Sequence, residues 1–205
     1  MLGTCAFLAP DDIPTRLVAT DETLADEDAL GVLRRLALAR RQGDSLAVHR
    51  LIGDVVRERL APAEAARLAG HAIAALQGAF PNQAHDHRSW PRSARLLPHV
   101  LAVATHSPAT AELASLMQSA GIYLWSRSQL RSAEELLERA LRIFEAAYGP
   151  DHPEVARTLD NLGIVLQETG DFGGAREHQE RALRIEEAAY GPDRPHTRTV
   201  RGALE

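Results

Sequence analysis

The sequence contains no lysine, because all 23 of its basic residues are arginine. A Walker A phosphate loop, a Schiff base and a lysine general base each need that side chain, so this chain cannot supply them. The single cysteine, Cys5, cannot form an internal disulfide and is too few for a cysteine-rich zinc site. We interpret Cys5 as a small buried hydrophobic residue and expect a reducing, cytoplasmic location.

Long apolar runs and strong positive charge are also missing. No run approaches the ~18 apolar residues of a membrane span, and the apolar start from Met1 to Ala9 lacks the basic residues that open a signal peptide. The net charge of −5 disfavours general attraction to nucleic acid. No constellation of catalytic residues stands out either. We therefore expect a chain that is not an enzyme and that contacts no membrane.

The chain does contain an internal repeat. Residues 138–153 (ERALRIFEAAYGPDHP) recur as residues 180–195 (ERALRIEEAAYGPDRP), with 14 of 16 positions identical and an offset of 42 residues. The same offset pairs Gly121 with Gly163 and Ala133 with Ala175. The repeat therefore extends from about residue 110 to residue 205 and holds two full units and the start of a third.

Each unit is predicted to contain two helices. Apolar residues from Val155 to Leu166 follow the 3.6-residue spacing of a helix, Gly170-Asp171 interrupts it, and the spacing resumes at Ala175. Gly149 and Gly191 are predicted just past helix ends, and each is followed by a proline that cannot continue the helix.

This pattern resembles the tetratricopeptide repeat (TPR) in its 42-residue, kinesin-light-chain-like variety. The resemblance implies an α-solenoid whose first helices line a groove for a protein or peptide partner. It implies groove positions at Trp125, Arg157, Asp160, Asn161, Ile164 and Gln167. It also places Ser115, Gln118, Ser119 and Ile122 in the first repeat on that groove. An ordinary exposed helix surface remains the alternative. The incomplete third repeat suggests a longer protein and predicts an apolar face around Ala182 and Leu183, open to self-association.

The first 60 residues show a different pattern. Residues 36–41 and 45–50 are predicted to form a β-hairpin around Gln42-Gly43-Asp44, followed by a helix over about residues 51–60. Asp12 is predicted to cap a short helix ahead of the hairpin. The order helix, helix, helix, two-stranded wing, helix is that of a winged helix. Alternation directs Leu46 and Val48 to one face and His49 to the other.

This segment resembles the winged-helix subdomain of the NB-ARC branch of STAND signalling ATPases. The resemblance implies that His49, in Val48-His49-Arg50, contacts ADP phosphates in the intact parent, whose nucleotide-binding domain would precede residue 1. An arginine replaces the aspartate of that family's motif. The local alternative for His49 is a hydrogen bond to nearby backbone. The chain itself is expected to hold no cofactor, whereas the parent would bind ATP or ADP.

Residues 61–108 are predicted to form a connecting helical hairpin, with helices over about 63–79 and 92–105. The expected fold is thus mainly α: a winged-helix subdomain at 1–60, this hairpin at 61–108 and a TPR solenoid at 109–205. The predicted function is a non-catalytic regulatory and interaction region of a STAND ATPase. The alternative is a winged-helix DNA-binding regulator with a TPR sensor, which would use the arginines of the wing.

Three smaller features of the sequence have local interpretations. His85-Asp86-His87 offers adjacent metal ligands, but the sequence shows no further cluster of ligands that would complete a site. A solvated loop is therefore favoured over a zinc site. The arginines at 34, 35, 40, 41 and 50 favour a solvated or domain-contact face over a DNA face, because the helix before them opens with acidic residues. Trp90, ahead of Pro91, is predicted to anchor a loop.

Overall fold

The computed structural model describes residues 2–18 and 31–191. Contacts between Cα atoms divide the chain into two compact units. The first unit consists of Met1–Pro81 with Pro91–Pro108, and the second consists of Asn82–Trp90 with Ala109–Glu205. The third repeat predicted after residue 191 lies outside the described residues.

The described part of the first unit combines helices with a small sheet. Its helices are α1 (Leu2–Cys5), α2 (Arg50–Arg59), α3 (Pro62–Ala79) and α4 (Trp90–His106), the last of which begins at the unit boundary. Its strands are β1 (Ile13–Pro14), β2 (Ala39–Gln42) and β3 (Ser45–Val48). A 3-10 turn covers Thr15–Leu17, and residues 31–35 are helical.

The predicted hairpin is confirmed. Strands β2 and β3 pair antiparallel, with Ala39 opposite Val48 and Gln42 opposite Ser45. Gly43 takes a φ of 61° in the two-residue turn, a conformation that glycine adopts without steric cost. Leu46 and Val48 are buried whereas His49 is exposed, as the alternation predicts.

Two details of this unit differ from the sequence prediction. The sheet has three strands rather than two, because Ile13 and Pro14 pair with Leu46 and Ser45. Asp12 does not cap a helix: the 3-10 turn after it has no side-chain cap, and the Asp12 carboxylate bonds Ser45 and Arg95 instead. The strand pairing and the bonds of Asp12 join residues far apart in the chain, which local patterns cannot reveal.

Up to residue 191, where the description of the second unit ends, two helix pairs follow one another. They are α5 (Ala111–Ser126) with α6 (Leu130–Tyr148), and α7 (Pro153–Thr169) with α8 (Phe172–Tyr190). The expected stops are confirmed, since Gly149, Gly170 and Gly191 are the C-caps of α6, α7 and α8 and all have a positive φ. Asp171 caps α8 by accepting a hydrogen bond of 3.0 Å from the Gly174 N–H.

Small residues allow the helices of each pair to pack closely. A Cβ on Gly121 would lie 2.8 Å from Leu137 Cγ, and a Cβ on Gly163 would lie 2.8 Å from Gln179 Cγ. These two glycines are 42 residues apart, so the two helix pairs pack closely at equivalent positions of the sequence repeat. Ala133, Ala175 and Ala182 are completely buried.

The predicted mainly helical fold with a repeat solenoid is therefore confirmed. In the described ranges, no helix combines the length and the apolar character needed to cross a membrane. The functional division at residues 60 and 108 stays a prediction, since compactness alone does not assign a role to α3 and α4. Ala182 was expected on an open apolar face; it is buried instead, and Leu183 is half-buried.

Candidate functional site

The candidate site is one face of the second unit, formed by the first helix of each helix pair. It carries Ile122 and Trp125 from α5 and Asn161 and Ile164 from α7. These four side chains line one shallow hollow, with Leu137 and Val165 behind them. The sequence predicted all four residues on this face. We call this surface, with the adjoining exposed residues of α7, the interaction face.

The hollow is small and apolar at its base. It offers about 10 Å³, close to the roughly 10–15 Å³ that one water molecule requires. Leu137 and Val165 are buried, whereas Ile164 keeps 37% of its surface exposed. The interaction face is therefore a shallow apolar contact surface rather than an enclosed pocket.

Trp125 is held by a hydrogen bond across the face. Its Nε1–H donates to Glu168 Oε1 at 2.9 Å, which links the ends of α5 and α7. The indole is half-buried and the Glu168 side chain is exposed. The predicted anchor residue therefore has a fixed orientation at the edge of the hollow.

The remaining predicted residues of α7 lie on or beside the same face. Arg157 is exposed and forms an ion pair with Glu154, one turn earlier. Gln167 is exposed and donates to Gln179 Oε1 at 3.4 Å, and Asp160 is half-buried. These residues supply the polar part of the face.

Gln118 does not belong to this face, contrary to the expectation from the repeat. It is 3% exposed, and its Nε2 donates to Thr158 Oγ1 at 2.7 Å, inside the packing between α5 and α7. The hydroxyls of Ser115 and Ser119 donate to backbone carbonyls one turn earlier in α5. The contribution of α5 to the interaction face is therefore centred on Ile122 and Trp125.

His49 lies exposed at the junction of β3 and α2. It is the N-cap of α2, and its Nδ1 accepts a long hydrogen bond of 3.4 Å from the Leu51 N–H. Beside His49 is a hollow of about 240 Å³ that Asp11, Arg40 and Arg50 also line. The local backbone contact expected as the alternative is therefore present, and the imidazole still borders an open hollow whose charged residues are two arginines and one aspartate.

A polar cluster that sequence reasoning missed ties the hairpin turn to α4. Arg95 donates to both Asp12 and Asp44, at 3.0 Å to the nearest oxygen of each. Hydrogen bonds from Ser45 and Arg95 lower the pKa of Asp12, and the bond from Arg95 lowers the pKa of Asp44. His99, on the next turn of α4, is 1% exposed and has Nε2 at 3.1 Å from the Asp12 carbonyl.

The other candidates from the sequence have local roles. The arginines of the hairpin region are all exposed at positions 34, 35, 40, 41 and 50. Asp86 accepts a hydrogen bond from the Arg88 N–H, and the ranges 2–18 and 31–191 contain no group of three or more residues suited to hold a metal. Cys5 is buried, as predicted. Trp90 begins α4, with the Arg127 guanidinium 4.3 Å from its ring centroid.

Glu168 is the residue of the interaction face that sequence reasoning missed. It follows Ile164 by four residues and Asn161 by seven, the spacing of residues on one side of a helix. That periodicity could have identified it. The Arg95 cluster had no comparable signal, because its partners are 51 and 83 residues away.

Comparison with known proteins bears on the second unit. No curated protein matches the chain. The family model of the tetratricopeptide repeat matches residues 111–188, which run from the first residue of α5 almost to the end of α8. This part of the chain, with its two helix pairs and their shared face, is therefore a tetratricopeptide repeat region, a module for protein–protein interaction.

Proposed function

We propose that the repeat region binds an extended segment of a protein partner along the interaction face. The observation that carries this proposal is the meeting of Ile122 and Trp125 with Asn161 and Ile164 around one hollow. Apolar side chains beside fixed polar groups suit a peptide, because the side chains provide buried area and the polar groups bind the backbone. The family match to an interaction module supports the same function.

The test is selection of binding peptides by the full chain. Peptides enriched from a randomised display library should lose binding by about tenfold or more to the double variant Trp125→Ala, Asn161→Ala, since buried aromatic anchors dominate such interfaces. Ile164→Ser provides a second, less disruptive change. The matched control is Arg40→Ala, Arg41→Ala, which should bind like the unmodified chain. Binding that survives the first variant and is lost in the control would contradict the proposal.

We further propose that the first unit is the winged-helix element of a cytoplasmic STAND-type ATPase, with a regulatory rather than a catalytic role. The exposure of His49 and the presence of Arg40 and Arg50 in the hollow beside it support a contact with ADP phosphates held by a neighbouring nucleotide-binding domain. The proposal requires a P-loop lysine motif encoded ahead of residue 1. In the intact protein, His49→Ala should weaken retention of ADP; unchanged retention would contradict the proposal.

The five exposed arginines favour one alternative for this unit, which is binding to DNA. Phosphate contacts weaken steeply as salt rises, whereas peptide binding on the interaction face depends on salt much less. A gel-shift assay with duplex DNA at low and physiological salt separates the two. A shift at physiological salt that Arg40→Ala, Arg41→Ala removes would replace the STAND proposal by a transcriptional regulator.

A further inference from the structure

The edge of the interaction face carries an exposed carboxylate in a fixed position. Glu168 Oε1 accepts the hydrogen bond from Trp125 Nε1, and the second oxygen of that carboxylate is not needed for it. The indole N–H is neutral, so the bond orients the carboxylate and leaves its negative charge intact. In the described part of the chain no arginine or histidine forms an ion pair with Glu168.

Glu168 is the charged residue of α7 that lies at this edge of the face. Along α7 the exposed or half-buried charged residues are Glu154, Arg157, Asp160 and Glu168. The single cation among them, Arg157, is paired with Glu154. A cationic group from a partner would therefore meet the opposite charge of Glu168 at this end of the face.

Trp125 adds a second attraction for a cation at the same place. Its half-buried indole lines the hollow and bonds the Glu168 carboxylate. A guanidinium or ammonium over a tryptophan ring is stabilised by the negative face of the ring. A partner cation can therefore contact the ring and the carboxylate together.

The hollow beside Trp125 restricts the neighbouring side chain of the partner. Its space of about 10 Å³ admits the tip of an aliphatic side chain but not an aromatic ring. Ile164 and Glu168 are separated by one helical turn, a rise of roughly 6 Å. Side chains two residues apart on an extended chain lie on one side about 6.6 Å apart, which matches that separation.

We propose that the partner segment carries an aliphatic residue and, two residues away, an arginine or lysine. The aliphatic tip lies on Ile122 and Ile164, and the cation lies on Trp125 against Glu168. This inference rests on the proposed function of the interaction face and specifies the chemistry of its partner.

The experiment selects binders from an unbiased library of displayed dodecapeptides in parallel on three forms of the full chain. These are the unmodified chain, Glu168→Gln, and the control Glu135→Gln, which removes an exposed carboxylate from α6. Glutamine at 168 keeps an oxygen for Trp125 Nε1 and loses only the charge. The unmodified chain and the control should enrich the spacing aliphatic-x-arginine or lysine. The Glu168→Gln form should retain the aliphatic residue and lose the basic one, and an enriched synthetic peptide should bind it about 2- to 5-fold more weakly.

The outcomes separate the two proposals. Peptides that need Trp125 and Ile164 but carry acidic or aromatic residues at these positions would overturn this inference and leave the proposed function standing. A basic residue enriched equally on Glu168→Gln would also overturn it. Enrichment of no peptide that depends on the interaction face would overturn both.

Discussion

Ser128 adopts a conformation that serine rarely adopts. It lies in the turn between α5 and α6 with a φ of 57°. Its counterpart 42 residues later is Gly170, which takes the same left-handed region with a φ of 88°. Side chains with a Cβ are strained there, whereas glycine is not.

Replacement of Ser128 by glycine should therefore stabilise the second unit. We expect the free energy of unfolding to rise by about 0.5–1 kcal/mol, which is the relief of left-handed strain less the greater freedom of glycine in the unfolded chain. Both tryptophans, Trp90 and Trp125, belong to the second unit, so urea denaturation followed by tryptophan fluorescence measures it. The control Ser132→Gly, inside α6, should lower the same free energy by about 0.5 kcal/mol. A loss of stability in Ser128→Gly would show that the turn does not need this conformation.

At His49 the structure predicts a small effect on stability. The imidazole is exposed, and its capping bond to the Leu51 N–H is long at 3.4 Å. His49→Ala should thus lower the stability of the first unit by no more than about 0.5 kcal/mol. His49→Asn should raise it, because asparagine is a better N-cap. Hydrogen exchange of residues 50–59 measures both variants, and a loss above about 2 kcal/mol for alanine would assign His49 a structural role.

Among the elements of the repeat unit, α8 contributes least to the core. It contains three buried residues, whereas α7 contains eight and α6 contains seven. The repeat explains the difference, because buried Leu136, Leu137 and Phe144 of α6 correspond to His178, Gln179 and Glu186. The second helix of this pair therefore keeps its small packing residues but presents a more polar surface.

This difference predicts unequal protection within the unit. Amide hydrogen exchange should be faster in residues 172–190 than in residues 111–169, since local opening exposes less apolar surface where fewer residues are buried. The measurement is repeated at two protein concentrations, so that any protection gained by self-association is detected. Equal protection of α7 and α8 at the lower concentration would contradict the prediction.

At the scale of the whole molecule, the first unit contains two histidines whose pKa is lowered in the folded chain, buried His99 and exposed His106. In the first unit, burial lowers the pKa of His99, with Asp12 and Arg95 as its charged neighbours. Partial desolvation and nearby Arg57 lower the pKa of His106 in the same unit. Both histidines therefore take up a proton more readily in the unfolded chain than in the folded one.

Mild acid should consequently destabilise the first unit. The contribution of these histidines to stability is complete above their unfolded pKa of about 6.5 and is lost as the pH falls below it towards the lowered folded pKa. Hydrogen exchange, corrected for intrinsic rates, should show that helix α4 is less protected at about pH 5.5 than at about pH 7.5. His99→Gln should reduce this difference between the two pH values, whatever its effect on absolute stability. An unchanged difference in that variant would exclude His99 as the cause.

The sequence by itself determined the elements and their periodicity. Each predicted helix stop at Gly149, Gly170 and Gly191 is a cap in the structure, and the hairpin forms around Gly43 as its turn residues indicated. The placement of Ile122 with Ile164 on one face also followed from the repeat. Such features depend on contacts within one or two helical turns, or on a sequence repeat that forms the same local structure twice.

Only the tertiary structure decided which polar groups meet. Asp12 does not cap a helix but bonds Arg95, 83 residues away. Gln118 does not lie on the interaction face but bonds Thr158, 40 residues away. The fixed carboxylate of Glu168 depends on Trp125, 43 residues away. Buried Gln118 takes the partner that packing places within hydrogen-bond distance, because a buried polar group without one costs about 1–3 kcal/mol. The exposed Asp12 and Glu168 bond the groups that the packing of other elements brings to them. That choice depends on the packing of whole elements and leaves no local pattern in the chain.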